Sequence, residues 1–430
     1  MKKVLLIDPP FQKFMDFSKN GIPLGLLSLA GSLKKNGHSV QVLDSDYNPN
    51  GTPYPFMGKI EHYDEYLKNL KNGGHPIWED IASQIEKSSP DVVGVSLIST
   101  KLKSGLRVAE IAKNLGVKRV IAGGPHVSIF PQDALSSPYV DSVVLGEGEN
   151  VFEKALSSDI VKADRIKDIG SLAWPSRESL IGLDSYHPND LGFVMTSRGC
   201  PGSCNFCCSE VLWGKGVRKR DISDVLEEMD SIHDSYGTNK FYIVDDTFTL
   251  GKKRVSEFCE GIGKRGYDWS CLTRVDRLDQ NMLENMIGSG CSMVKVGIES
   301  GSQNVLNLMN KEITVSQVRD AAELLNKNSM PWLSYIMVGV PGETSADVDK
   351  TMKLIKDIKP SYVSAAIYTP YPGTGFSKQG NGVDFAREEA NHHSMKVLAG
   401  DVPREKIVEF MEFADKYNAD SNAAQKLYGK

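Results

Sequence analysis

Two series of short, β-rich apolar runs, with segments of helical periodicity between them, limit the architectures open to this chain. The first series is Lys3–Ile7 (KVLLI), Ser39–Leu43 (SVQVL), Val92–Leu97 (VVGVSL), Arg119–Gly123 (RVIAG) and Asp141–Leu145 (DSVVL). LGLLSLAGSLKKNG and SGLRVAEIAKNLG, which lie between these runs, carry apolar residues at helical spacing and stop on Gly37 and Gly116, as helices that close on a left-handed glycine do. Continuously apolar strands separated by helices predict a parallel sheet covered on both faces. That is a doubly wound α/β domain, expected over residues 1–157, with ligands bound beyond the carboxyl ends of its strands. The second series is Gly192–Thr196, Lys240–Asp246, Asp268–Arg274, Ser292–Ser300, Leu333–Gly339 and Tyr362–Tyr368, with DISDVLEEMDSIHDSYG and TVSQVRDAAELLNKN among the helical segments. Repeated strand–helix units build a parallel barrel or part of one. Six units are too few for a closed eight-stranded barrel, so residues 191–384 are expected to form an open, partial (β/α)6 barrel. Residues 158–190 read as a linker with some local structure, 48–80 as an irregular Pro- and Gly-rich insertion with a helical middle, and 385–430 as a helical C-terminal region.

The loop after the first strand of the second series, SRGCPGSCNFCCSE (Ser197–Glu210), holds four of the chain's seven cysteines. Cys200, Cys204 and Cys207 fall at the spacing C-x3-C-x2-C, and Cys208 follows at once. The odd number of cysteines has no export signal beside it: the N-terminal apolar run is only Val4–Ile7, too short for a signal peptide. No run of about 18 apolar residues occurs, so no membrane insertion is expected. A formal net charge of -5 gives no reason to expect a nucleic-acid partner. The expectation is a cytoplasmic protein, and in a reducing compartment a cysteine cluster reads as metal-binding or catalytic. Its position after a strand end, where parallel α/β folds gather functional residues, points the same way.

Structural zinc sites take four ligands, usually as two separated pairs. Here Cys259, Cys271 and Cys291 are scattered singly and read as buried packing residues, and Cys208 leaves the backbone on a different heading from Cys207. Iron–sulfur cubanes normally take four thiolates. Three from one loop leave an iron open for a substrate, as open positions do at other catalytic metals. Gly199 and Gly202 suit a loop that wraps closely, and Phe206 stands between two ligand positions.

On these residues the second series resembles the radical S-adenosylmethionine (SAM) superfamily, over about residues 190–375. The resemblance implies a 4Fe-4S cluster on Cys200, Cys204 and Cys207, with SAM at its open iron. VDDTF (Val244–Phe248) ends the second strand, where the resemblance places Asp245 and Asp246 near the SAM amino group. TRVDRLD (Thr273–Asp279) ends the third and places Arg274 near the carboxylate. VGIESGSQ (Val296–Gln303) ends the fourth and places Glu299 at the ribose. IMVGVPGET (Ile336–Thr344) is similar to a fifth-strand glycine motif beside adenine, with Gly339 and Gly342. YTPYPGT (Tyr368–Thr374) resembles the loop after the sixth strand. The implied chemistry is reductive cleavage of SAM to methionine and a 5'-deoxyadenosyl radical, which calls for a one-electron reductant such as a flavodoxin or ferredoxin.

The first series resembles the Rossmann-like cobalamin-binding domain fused to one class of these enzymes. The matching stretches are IDPP (Ile7–Pro10), Gly21–Asp44, VGVSLIST (Val93–Thr100), VIAGGPHVS (Val120–Ser128) and VVLGEGE (Val143–Glu149). Ser96, Gly123, Gly124 and Gly146 lie at or just past strand ends, where glycine lets the backbone approach a large flat ligand. Pro125, His126 and Glu147 belong to the same stretches. None of the eight histidines has Asp two residues before it, so the D-x-H-x-x-G pattern of a histidine-ligated cobalt is missing. No G-x-G-x-x-G follows the first strand, which runs into Asp8-Pro9-Pro10, and there is no P-loop. The class implies methyl transfer from methylcobalamin to an unactivated carbon, or less often phosphorus, of a small-molecule or natural-product substrate. Radical cyclisation or rearrangement without methyl transfer is the alternative within the class, and a non-catalytic cobalamin or iron–sulfur binding protein the alternative outside it. Tyr368 and Tyr371 read as packing residues, and the adjacent His392 and His393 as a poor metal pair.

Overall fold

Leu5 and Ile7 of the first strand join the apolar cluster on one side of the N-terminal sheet, and Val4 and Leu6 the cluster on the other. This period-2 alternation with both sets apolar is what a doubly covered sheet requires. The computed structural model describes residues 1–52, 56–371, 373–377, 395 and 398–421. His392 and His393, Pro372 of the YTPYPGT loop, and much of the expected C-terminal region, including 385–394 and 422–430, lie outside the described residues. Strands β1 (Lys3–Asp8), β2 (Ser39–Asp44), β3 (Val92–Ser96), β4 (Arg119–Gly123), β5 (Ser142–Leu145) and β6 (Ile160–Lys162) form one sheet in the order β2-β1-β3-β4-β5-β6. All its pairs are parallel. Strand order reverses between β1 and β3, which opens a crevice at their carboxyl ends.

β6 falls inside the segment expected as a linker. It pairs in register with β5, Val143 to Ile160 and Leu145 to Lys162, so the sheet continues past residue 157. The rest of that segment is short 3-10 turns fastened by Arg177, whose buried guanidinium donates to the Leu191 and Phe193 carbonyls and pairs with Glu228. The insertion is also more regular than its Pro and Gly content predicts. It forms helices Phe56–Glu61, Tyr63–Lys71 and Pro76–Ser88. Pro76 starts the third of these instead of breaking it, because the first turn needs no N–H from it.

The second series begins with β7 (Phe193–Val194). A two-stranded antiparallel ribbon, β8 (Ser197–Arg198) with β9 (Arg218–Lys219), follows, and then β10 (Lys240–Ile243), β11 (Asp268–Thr273), β12 (Cys291–Glu299), β13 (Trp332–Val338) and β14 (Tyr362–Ile367). The order β7-β10-β11-β12-β13-β14, parallel throughout, is the open six-stranded barrel expected. β7 is shorter than the Gly192–Thr196 run suggests. Thr196 and Ser197 turn their N–H groups to the Asp245 carboxylate instead of a neighbouring strand. At the other edge the helix Arg404–Asp420 covers β14: Asn418 accepts from the Val363 N–H and donates to the Val363 carbonyl. An open barrel has two exposed edges to protect, and a side-chain amide that mimics a strand protects one of them. Among the described residues no helix is long and apolar enough to cross a membrane.

Candidate functional site

The cysteine loop hangs between the two strands of the β8–β9 ribbon, at the carboxyl end of the barrel. Asp245, 2% exposed, clamps its base: one carboxylate oxygen accepts from the N–H groups of Thr196 and Ser197, the other from their hydroxyls. Those four hydrogen bonds occupy the carboxylate, so Asp245 shapes the loop and has no acceptor left for an ammonium group. Asp246 is the exposed member of the pair and holds the Ser209 hydroxyl, two residues past Cys207. Gly199 has φ +98°, and a Cβ there would lie 2.5 Å from the Gly216 carbonyl oxygen, so only glycine fits where the loop leaves the ribbon.

The thiols converge. A Cβ built at Gly202 would sit 3.6 Å from Cys200 Sγ, 3.8 Å from Cys204 Sγ and 3.5 Å from the Arg274 guanidinium. The Cys207 N–H donates to the Cys204 carbonyl, and Asn205 pins the loop to the Leu308 and Met309 carbonyls. Burial pushes the Cys204 thiol up, against the opposing pull of Lys311 and Arg274. Among the described residues, no three His, Cys, Asp or Glu side chains stand close enough to share a single ion. Cys259, Cys271 and Cys291 are buried in the barrel's core, as their isolation in the sequence suggests.

Two cations back the loop. Arg274 pairs with Asp276 and donates to the Lys311 carbonyl. Lys311 was not singled out from the sequence. Its ammonium pairs with Glu299 at 2.7 Å and lies 5.7 Å from the centre of the Phe206 ring. Three non-glycine residues here have positive φ: Glu299 at 59°, Asn310 at 49° and Glu312 at 57°. Strain of this kind collects at functional sites. Glu299 follows a break in the β12–β13 register, and that bulge turns its carboxylate to the inner face beside Gly297.

At the end of β13, Gly339 and Val340 donate their N–H groups to the Glu343 carboxylate at 2.6 and 3.1 Å. Gly342 packs closely on Leu308. Burial raises the Glu343 carboxyl to about 7, although those two N–H groups oppose it. That value lies above the 4.5 of an unfolded glutamate, so the folded chain holds the proton more tightly. The stability this contributes is complete below about pH 4.5 and is lost as the pH rises to about 7. Thermal melts of wild type and Glu343→Gln across this window should diverge by on the order of 3 kcal/mol, with wild type losing ground as the pH rises.

A cavity of about 310 Å³ lies at the carboxyl ends of β1, β3, β4 and β5. Leu6, Leu26, Leu29, Ile121, Val144 and Phe152 make it mostly apolar, and Ser96, Gly123, Gly124, Pro125, Gly146 and Glu147 are all on its wall. The far wall comes from the barrel: Met195, Arg198, Leu212 and Trp213. Gly124 has φ +102°, and a Cβ there would lie 2.9 Å from the Leu97 carbonyl oxygen. His126 does not line the cavity. One ring nitrogen lies 3.0 Å from the Ser99 hydroxyl and the other 3.0 Å from Asp133, and burial lowers its pKa. With both nitrogens engaged it serves the packing of its own domain.

Glu147 joins the two domains. Its oxygens accept from Arg198 at 2.6 Å, Arg218 at 2.5 Å and the Ile166 N–H at 3.0 Å. Arg198 also reaches Glu149 at 2.5 Å and lies over the Trp213 ring. The Glu147 charge is thus spent at the interface, and Arg198, next to the cysteine loop, is a rim residue of the cavity that the sequence did not single out. Glu147→Ala leaves the buried Arg218 guanidinium with only the Ile166 carbonyl and takes one of two carboxylates from Arg198. It should lower stability by about 3–5 kcal/mol, read from chemical denaturation.

The Radical SAM superfamily model matches residues 194–355 and the B12 binding domain model residues 16–156. A protein named as an uncharacterized methyltransferase, PH0819, of Pyrococcus horikoshii is 33% identical over 402 residues, covering 86% of this chain and 82% of that one. The anaerobic magnesium-protoporphyrin IX monomethyl ester cyclase of Rubrivivax gelatinosus is 29% identical over 329 residues, 68% of this chain and 59% of its own. Among solved structures, the radical S-adenosylmethionine methyltransferase TsrM of Kitasatospora setae, with cobalamin and a 4Fe-4S cluster bound, aligns with a TM-score of 0.66. The alignment covers 88% of this chain and 74% of that chain at 17% identity, a likeness of fold.

Proposed function

The chain belongs to the radical SAM superfamily, in the branch that carries a B12-binding domain, and on that premise we propose that it is a cobalamin-dependent methyltransferase acting on an unactivated carbon or phosphorus of a small molecule. The observation that carries this reading is the shared cavity. Its glycine-rich wall lies at the strand ends of one domain, and its opposite wall, Met195, Arg198, Leu212 and Trp213, flanks the cysteine loop of the other. A cobalt cofactor seated there is held against the cluster site by the fold itself.

When bound, the cluster would supply the electron for reductive cleavage of SAM, and methylcobalamin would supply the methyl group. The protein's part is to bind, orient and exclude. Cys200, Cys204 and Cys207 would hold the cluster. Arg274 and Lys311 balance its negative charge, and Arg274 is placed for a carboxylate. Asp246, exposed beside Cys207, is placed for an ammonium group while Asp245 braces it from behind. Glu299, held by Lys311, presents an acceptor for hydroxyl groups. Gly339 and Gly342 leave room for a flat ring. Ser96, Gly123, Gly124, Pro125 and Gly146 shape the seat for the nucleotide end of cobalamin, whose aromatic base suits the apolar lining. A flavodoxin or ferredoxin is the proposed electron donor.

The Rubrivivax relative favours one second reading, radical cyclisation without methyl transfer. Anaerobic incubation of reconstituted protein with dithionite, hydroxocobalamin and methyl-deuterated SAM separates the two. Methyl transfer predicts both deoxyadenosine and S-adenosylhomocysteine. Deoxyadenosine alone favours cyclisation, and neither product rejects both.

A further inference from the structure

Among the described residues, the inward face of β12 carries a cation, Lys295, that has no ion pair. β12 sends Val294, Val296 and Ile298 outward into the helix-covered core, so Lys295 and Gly297 face inward. The register partners of Lys295, Leu272 on β11 and Leu333 on β13, share that face. Met293 and Leu333 pack there with Tyr335 and Tyr362. The Lys295 ammonium lies 5.5 Å from the centre of the Tyr242 ring, which stacks on Phe193 with ring centres 4.8 Å apart. Among the described residues Lys295 has no hydrogen bond or ion pair. Among the described residues Lys240 also stands at that ring, 5.8 Å from its centre and of the same sign. Burial lowers the Lys295 pKa; the Cys271 thiol opposes that shift and Lys240 adds to it. The nearest inward carboxylate along the strand, Glu299, is already paired with Lys311.

The Tyr242 ring gives this ammonium a cation–π contact, but its burial beside a second cation still costs stability that an apolar residue would not. We propose that Lys295 anchors an anionic group, a carboxylate or a phosphate, on a substrate that enters the barrel. This rests on the reading above, in which the barrel interior is the reaction chamber. Lys295 and Glu299 are four positions apart on β12, about 13 Å along a strand. The anchored substrate is therefore elongated, with its anionic end deep in the barrel and its reacting atom near the cluster loop. Phe193, Tyr242 and Leu333 surround the anchor itself with apolar surface, suited to an aromatic or aliphatic body carried next to the anionic group.

The test titrates pyrophosphate and citrate, in separate arms, into holoenzyme loaded with cluster and hydroxocobalamin, by calorimetry at low ionic strength. Wild type should bind at least one of them; pyrophosphate points to a phosphate-bearing substrate and citrate to a carboxylate. Lys295→Met should weaken that binding by about tenfold or more, and Lys295→Arg should restore most of it. A second measurement needs only wild type: the same anion should protect Lys295 from acylation by an N-hydroxysuccinimide ester, read by peptide mass spectrometry. Binding unchanged in Lys295→Met, no binding of either anion to wild type, or labelling of Lys295 that neither anion slows, overturns the proposal. Failure of the underlying reading shows separately, as wild type that makes no deoxyadenosine while still binding the anion through Lys295.

Discussion

Alanine at any one of Cys200, Cys204 or Cys207 should reduce deoxyadenosine formation to background and strip most of the iron from reconstituted protein, whereas Cys208→Ala should do neither. A cubane held by three thiolates has no spare protein ligand, so each loss leaves two irons without protein sulfur. Cys200 and Cys204 point to a common spot beside Gly202 and Arg274, and the chain reverses there through the Cys207 N–H and the Cys204 carbonyl. Cys208 belongs to the next element. It is the N-terminal cap residue of the helix Ser209–Trp213, and burial raises its thiol to about 11. Iron and sulfide assays with product chromatography check all four variants. A Cys208→Ala protein that loses its iron along with the others would mean that the loop offers four ligands and no open iron.

Gly123→Phe should reduce cobalamin retention to a trace and remove S-adenosylhomocysteine from the products while the iron content stays near wild type. Gly123 is the right position because it lines the cavity and its own backbone tolerates a side chain: a Cβ there meets nothing closer than 3.8 Å, and its φ is not left-handed. A phenyl ring would occupy a large part of a cavity of about 310 Å³. Gly124→Ala is a poorer probe, since its Cβ would press on the Leu97 carbonyl and strain the backbone whether or not a ligand is present. Absorbance of bound hydroxocobalamin after gel filtration reads the result, and retention equal to wild type would place the cofactor elsewhere.

Whatever depends on local pattern was legible in the sequence. Apolar runs with helical spacers placed both sheets, and the three cysteines marked the loop because their spacing is contiguous. Whatever depends on partners far along the chain was not. Asp245 looks like a ligand-facing carboxylate until the four hydrogen bonds to Thr196 and Ser197, nearly fifty residues earlier, are seen. Glu147 looks like part of a ligand loop until Arg198 and Arg218 arrive from the other domain. Lys311 sits in an ordinary stretch, MNKEIT, and gains its meaning from Glu299, twelve residues earlier at the end of β12, and from two strained neighbours that no propensity foretells. β6 escaped notice because three residues, two of them exposed, carry almost no periodicity.

The most direct test is electron paramagnetic resonance of dithionite-reduced, cobalamin-free protein before and after SAM is added. A cubane with three cysteine ligands and one open iron predicts a reduced-cluster signal whose g-values shift when SAM binds. A cluster signal indifferent to SAM, or the lack of any cubane signal in fully reconstituted protein, would contradict it.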